Sequence, residues 1–227
     1  MQRGGRTMRI KKYIAVICMF YLISAMPLRV KAEENKVQHI ILIDPGHGGI
    51  DGGAKSKNGT IEKDINLSIS KKLKAELEAA NYLVYMTREA DSQLDSRKVK
   101  DLNARCQMKK DTKCDMFISI HQNMFPQANC FGAQVWYASN DQSKALAENI
   151  QIALKEIADS KNKRVSKAAK EQYRILRDGY AGACVLVECG FLSNYEEEQK
   201  LKSDEHQEKI VKGIVMGVNK YFETKSN

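Results

Sequence analysis

Only four histidines occur in the 227-residue chain, His39, His47, His121 and His206, and two of them stand in unusual local sequences. His47 lies within Asp44-Pro45-Gly46-His47-Gly48-Gly49. Glycines on both sides let the backbone turn sharply and leave the ring unobstructed. His121 closes the apolar run of Ile118-Ser119-Ile120-His121-Gln122-Asn123. Glu62 follows a glycine-rich loop, and Glu188 follows Val185-Leu186-Val187. A carboxylate directly after a buried run is a poor choice for packing. Two imidazoles and a carboxylate, with a fourth position open to water, make a catalytic zinc set. The metal brings the pKa of that water towards neutrality. A second carboxylate must then take its proton and pass it to a leaving amine. On this reading His47, Glu62 and His121 hold the ion and Glu188 is base and acid. The order along the chain differs from that of H-E-x-x-H enzymes.

Each residue also has a structural reading when taken singly. His47 could cap the glycine loop, and His121 could be a hydrogen-bonded histidine at a strand end. Glu62 could be a solvated acid at a helix N-terminus, favoured there by the helix dipole. Glu188 could pair with a lysine. His39 and His206 read as strand-start and surface-helix residues. Asp44 is expected either to orient a ligand imidazole or to cap the turn.

These residues need elements to hold them. His39 to Asp44 is a short apolar run ending in Pro45-Gly46, which predicts a buried strand. Ile61, Ile65, Ile69, Leu73 and Leu77 recur every four residues, one face of an amphipathic helix that Asn81 stops. Strands are predicted over Tyr82–Thr87, Met116–Ile120, Ala133–Ala138 and Cys184–Val187. Helices are predicted over Arg97–Lys110, through Leu146, Ile150, Leu154 and Ile157, and through Val211 to Phe222. The alternation predicts a single α/β domain with a mostly parallel central sheet and helices on both faces. Ligands of such sheets bind beyond the carboxyl ends of the strands, where His47, His121 and Glu188 are placed.

Composition narrows the partners. The formal charge is +9, but residues 1–32 hold seven basic residues and no acidic ones, so the remainder carries only +2. That leaves no electrostatic footprint for nucleic acid. Residues 1–32 read as a secretory signal: a basic start, an apolar run from Tyr13 to Leu28, then Val30-Lys31-Ala32 for cleavage near Ala32. The alternative is an uncleaved anchor helix, for which a run of about sixteen residues is short. Five cysteines remain beyond Cys18: Cys106, Cys114, Cys130, Cys184 and Cys189. The odd number, irregular spacing and lack of a C-x-x-C pair predict free, mostly buried thiols.

The local sequences carry a family resemblance. Ile43-Asp44-Pro45-Gly46-His47-Gly48-Gly49 resembles the opening motif of the Amidase_3 family of zinc-dependent N-acetylmuramoyl-L-alanine amidases. Ile61-Glu62-Lys63-Asp64-Ile65-Asn66-Leu67 is similar to its second ligand motif, and Thr87-Arg88 with Asp91 to its post-strand turn. Phe117-Ile118-Ser119-Ile120-His121-Gln122-Asn123 is similar to its third ligand motif. Val187-Glu188-Cys189-Gly190-Phe191-Leu192-Ser193-Asn194 resembles its catalytic-glutamate motif. The motifs run in order from about Ile40 to Phe222.

The resemblance implies a zinc amidase domain over 38–224, with His47, Glu62 and His121 as zinc ligands and Glu188 as the catalytic glutamate. The implied reaction is hydrolysis of the amide between the lactyl group of N-acetylmuramic acid and L-alanine in peptidoglycan. Gln122 stands where the family commonly has a small residue; with Asn123 it is expected to contact substrate. A signal followed by a bare catalytic domain resembles the spore-cortex members, which strip side chains so that muramic-δ-lactam can form. A general autolysin or cell-separation amidase is the alternative. No helix is expected to block the site, so activity is expected to depend on metal supply or on an activating partner protein. The protein is expected outside the cytoplasm, in the cell wall or around the spore cortex, touching membrane only through an uncleaved signal. The basic stretch from Lys161 to Lys170 reads as a solvated helix end or loop, with attraction to an anionic wall polymer as its alternative.

Three rivals are weighed against this. A dinucleotide fingerprint requires a third glycine where Asp51 stands. A non-catalytic peptidoglycan-binding module predicts loss of Glu188 or a ligand, and all four are present. A zinc carboxypeptidase or carbohydrate deacetylase shares the site chemistry and is set aside on the motifs alone.

Overall fold

The computed structural model describes residues 38–225; the export segment read over 1–32 lies outside them. A six-stranded sheet forms the centre. Its strands are β1 (Ile40–Pro45), β2 (Leu83–Met86), β3 (Met116–Asn123), β4 (Gln134–Tyr137), β5 (Lys167–Ala168) and β6 (Ala183–Phe191), in the spatial order β2-β1-β3-β6-β4-β5. All neighbours run parallel except β4 against β6. The helices are α1 (Glu62–Ala79), α2 (Lys98–Thr112), α3 (Asp141–Ile157), α4 (Tyr195–Lys202) and α5 (Asp204–Lys225), with a 3₁₀ turn at Arg174–Leu176. The single α/β domain with a mostly parallel sheet is as the alternation predicts.

Alternation along the strands assigns the two faces. Ile41, Ile43, Ile118, Ile120, Val185 and Val187 point into the larger core with α1, α3 and α5. Leu42, Phe117, Cys184 and Leu186 point the other way, into a smaller core that Cys106 of α2 and Ile175 of the 3₁₀ turn complete. Asp44, His121 and Glu188 share that second face by the same period of two. Two strands outrun their apolar segments. β3 continues through His121 to Asn123 and β6 through Glu188 to Phe191, so both residues lie within strands rather than after them. The ladder continues because His121 and Glu188 are still register partners.

Three short elements have no apolar period to announce them: β5, the 3₁₀ turn and α4. The last of these organises the loops around the site. Asn194 caps α4 by accepting from the backbone of Glu196 and Glu197. Glu198 then accepts from Ser56, Asn58 and Thr60 at 2.7, 2.6 and 2.5 Å, pinning the loop after β1. Glu197 accepts from the N–H groups of Gly132 and Phe191. On α2, fully buried Lys109 donates to the Ile175 carbonyl at 2.7 Å and to Asp178 at 2.8 Å, fastening the 3₁₀ turn and the residues after it to this helix. All five cysteines among the described residues are free, four of them buried, as the irregular spacing predicts.

A buried ion pair sits under the end of β1. Asp44 accepts from Arg105 at 2.7 Å, Thr87 at 2.6 Å and Ser119 at 2.7 Å. Burial pushes the Asp44 carboxyl up, but the Arg105 charge and the two hydroxyls outweigh it and hold the group at about 2. A depressed native pKa adds stability that is complete above the unfolded value and is lost as pH falls through the native one. Unfolding free energy is therefore expected to drop by roughly 2 kcal/mol between pH 4 and pH 2 through this group. Urea titrations across that range check it: Asp44→Asn should remove that part of the slope. A second prediction concerns α5, where a Cβ on Gly217 would meet the Ile150 backbone of α3 at 2.5 Å, whereas one on Gly213 would lie 3.2 Å from the Leu154 Cα. Overpacking at Gly217 costs about 1–3 kcal/mol, more than the roughly 1 kcal/mol gained in helix propensity. Gly217→Ala should lower the urea midpoint and Gly213→Ala should change it little.

Candidate active site

The turn after β1 presents the first imidazole. His47 adopts the left-handed conformation with φ 62, followed by Gly48 at φ 135 and Gly49 at φ 58. A non-glycine residue there costs about 1–2 kcal/mol. Two buried arginines hold the strained turn by its carbonyls. Arg88 donates to Pro45 O at 2.9 Å and to Gly46 O and Lys63 O at 3.0 and 2.9 Å. Arg105 donates to Pro45 O at 3.0 Å and His47 O at 2.9 Å. Gly46 is required for a different reason: a Cβ would fall 2.2 Å from the His121 ring.

Glu62 is the first residue of α1 and is buried, 4% exposed. One carboxylate oxygen accepts from the Ala54 N–H at 2.8 Å and lies 3.3 Å from His47 Nε2. The other accepts from the Gln122 N–H at 3.1 Å and lies 2.9 Å from His121 Nδ1. Burial opposes its charge, but the bonds to His121 and His47 prevail and keep it well below the usual carboxylate range. The two rings stand edge to face, 4.9 Å apart. One nitrogen from each histidine and one Glu62 oxygen lie within 4.8 Å of one another, and the three residues form a metal-binding triad. Two imidazoles and a carboxylate gathered this closely are an N,N,O donor set that fits zinc.

His47 has its second nitrogen oriented as well. Nδ1 lies 3.0 Å from Asp51 Oδ2, the carboxylate–imidazole arrangement that fixes which nitrogen faces a metal. Asp51 is thus the orienting residue, a role the sequence offered to Asp44. Asp44 bonds Arg105, Thr87 and Ser119 and no imidazole. Gln122 also differs from expectation. It is 3% exposed, and its amide donates to Asn66 Oδ1 at 3.1 Å on the α1 face of the sheet. Strand alternation turns it away from the cleft, so it braces the Glu62–Asn66 end of α1 rather than facing substrate. Asn123, one residue on, returns to the cleft face and lines a cavity there. His39 stacks on Phe222, His206 lies on α5, and neither joins the cluster.

Glu188 faces the triad across the β3–β6 ladder, as the register partner of His121. It is 7% exposed. Oε1 receives the Tyr173 hydroxyl at 3.3 Å, while buried Oε2 has no hydrogen-bond partner. Burial, reinforced by the nearby Glu62 charge, pushes its carboxyl up to about 7. Tyr173 comes from the segment fastened by Lys109, and no sequence signal singled it out. On the other side of the triad a cavity of about 260 Å³ is lined by His47, Asp51, Asp95, Lys98, Asp101 and Arg105.

The comparisons agree with this geometry. Residues 41–220 match the model of the Amidase_3 family, described as N-acetylmuramoyl-L-alanine amidase. The chain is 33% identical over 200 residues to the germination-specific N-acetylmuramoyl-L-alanine amidase of Bacillus subtilis, covering 83% of this chain and 81% of that one. It is 32% identical over 194 residues to the probable cell wall amidase LytH of Staphylococcus aureus, 84% of this chain but only 61% of that one. Among solved structures, the CwlD amidase from Clostridioides difficile, in complex with the GerS lipoprotein, superimposes with a TM-score of 0.78 at 38% identity, over 82% of this chain and 100% of that one. The AmiC2 amidase of Nostoc punctiforme gives 0.72 at 32%, over 82% and 97%. A match over that length, with ordered motifs and an assembled triad, settles the assignment: this chain belongs to the Amidase_3 family, the N-acetylmuramoyl-L-alanine amidases of peptidoglycan.

Proposed function

We propose that the chain is a zinc-dependent amidase that frees stem peptides from N-acetylmuramic acid during maturation of the spore cortex. The observation that carries the chemistry is the unpartnered, buried Oε2 of Glu188 beside the His47–Glu62–His121 triad. A buried polar atom without a partner is rare and calls for one from outside the chain. His47, Glu62 and His121 would hold the ion. When bound, zinc supplies Lewis-acid polarisation of the lactyl carbonyl and lowers the pKa of water. Glu188, with a carboxyl pushed up to about 7, can both take the water proton and return it to the L-alanine nitrogen at neutral pH. Tyr173 holds the other oxygen of Glu188 still. Asn123 offers its side chain to substrate in the cleft.

The cortex role rests on likeness to the germination-specific and CwlD amidases. Because the latter is bound to a lipoprotein, we infer that this chain also takes an activating partner protein. Its substrate places its work outside the cytoplasm, with residues 1–32 as the export signal. Among the described residues no helix is long and apolar enough to cross a membrane. Likeness to LytH supports a second reading, a vegetative wall amidase. Deleting the gene separates the two: spores without muramic-δ-lactam support the first, and unseparated or misshapen growing cells the second.

The reaction is tested by digesting defined muropeptides with the zinc-loaded chain and weighing the products. Peptides beginning with L-alanine, with intact peptide-free glycan, are expected; cleavage inside the peptide or release of acetate would reject the assignment. Glu188→Gln should retain one zinc and lose about 10²–10⁴-fold in kcat. His121→Ala should lose both metal and turnover. Full activity in Glu188→Gln would remove Glu188 from the chemistry.

A further inference from the structure

The cleft has a second half that the triad does not use. A cavity of about 350 Å³ opens on the β4 side of Glu188, its walls including Asn123, Gln134, Trp136, Arg164, Tyr173 and Phe191. It adjoins the reacting centre: Tyr173 of its wall bonds Glu188, and Gln134 is the register partner of Glu188. No carboxylate belongs to its lining. The other half is mixed in charge: Asp51, Asp95 and Asp101 line the cavity beside His47 together with Lys98 and Arg105.

Two cations stand over aromatic rings of this wall, Arg164 within its lining and Lys167 outside it. The Arg164 guanidinium lies 4.4 Å from the Phe191 ring, with Nε donating to Phe131 O at 2.7 Å and one terminal nitrogen to Gln134 at 3.2 Å. The Lys167 ammonium stands 5.8 Å from the Trp136 ring. Neither makes an ion pair among the described residues, and the buried Trp136 indole N–H has no partner either. This wall therefore carries a cation and no carboxylate to neutralise it. A guanidinium already fixed in plane by stacking and two bonds matches a carboxylate at little entropic cost.

Resting on the amidase reading above, we propose that this half of the cleft binds the stem peptide, with Arg164 receiving the free α-carboxylate of its second residue. Glu188 must hand its proton to the L-alanine nitrogen, so the peptide leaves on the Glu188 side. The cavity beyond His47, where Lys98 and Arg105 already pair with Asp51 and Asp101, is left to the uncharged glycan. Arg164 is tied to the Glu188 side through Gln134, which stands opposite Glu188 on the neighbouring strand. The γ-linked D-glutamate that follows L-alanine carries its α-carboxylate there.

The test compares two muramoyl glycans with the full zinc-loaded chain, one carrying L-alanyl-D-isoglutamate and the other L-alanyl-D-isoglutamine. The second replaces only the α-carboxylate by an amide. The wild type should prefer the carboxylate form by about tenfold in kcat/KM, the range for a hydrogen bond to a charged group. In Arg164→Gln the ratio should fall towards one, Arg164→Lys should restore part of it, and Lys167→Gln should shift it less. A structural fault would slow both substrates equally and leave the ratio intact, which would overturn the proposal. So would a wild type indifferent to the amide. A wild type that holds zinc and cuts both substrates inside the peptide would instead reject the amidase reading beneath it.

Discussion

The site depends on holding a strained turn by its carbonyl oxygens. His47 reaches the triad only because it takes a left-handed conformation, and a residue with a Cβ resists that. Arg88 and Arg105 supply the opposing force, four guanidinium bonds to the carbonyls of residues 45–47. Bonds from a charged donor are worth about 1.5–3 kcal/mol each, so even partial retention of their strength exceeds the local strain. Asp44 and Asp101 in turn position Arg105. The buried ion pair is better understood as a clamp on the turn than as a source of net stability, since desolvating both charges offsets much of their attraction.

Glu62 shows the same logic from the other side. Its carboxylate receives N–H groups from the glycine loop and from β3 while its backbone starts α1. One side chain therefore ties together the three segments that supply the ligands. The helix N-terminus favours that negative charge. Gly53 keeps the space open, because a Cβ there would lie 2.6 Å from both Glu62 and the His47 ring. Glu198 acts one layer further out, holding the loop that carries Ala54.

Much of this was legible in the residues. The apolar period of four gave α1, the buried runs gave β1, β3 and β6, and glycines around His47 marked a turn built for its side chain. What failed has a common cause. Ending β3 at Ile120 hid the period of two beyond it. Continued to Asn123, it puts His121 and Asn123 on the face of Ser119 and turns Gln122 towards α1. Asp51 escaped notice because an aspartate in a glycine loop reads first as a turn residue. Arg105, Lys109 and Tyr173 carry no pattern at all, and Arg88 is marked only through the motif it shares with the family. Long polar side chains that act through backbone carbonyls, or across distant segments, leave no periodic trace.

Two glutamates about the same centre have their carboxyls shifted in opposite directions, and their surroundings explain the difference. Glu62 is surrounded by N–H donors and imidazoles, so its charge is compensated and it suits a fixed ligand. Glu188 is equally buried but has one weak phenolic donor and a neighbouring negative charge, so burial prevails and its carboxyl rises to about 7. A group that exchanges its proton near neutrality is useless as a permanent anion and well suited to move one. Divergent environments for two carboxylates divide holding from proton transfer, and the division is set by the donors each strand end provides.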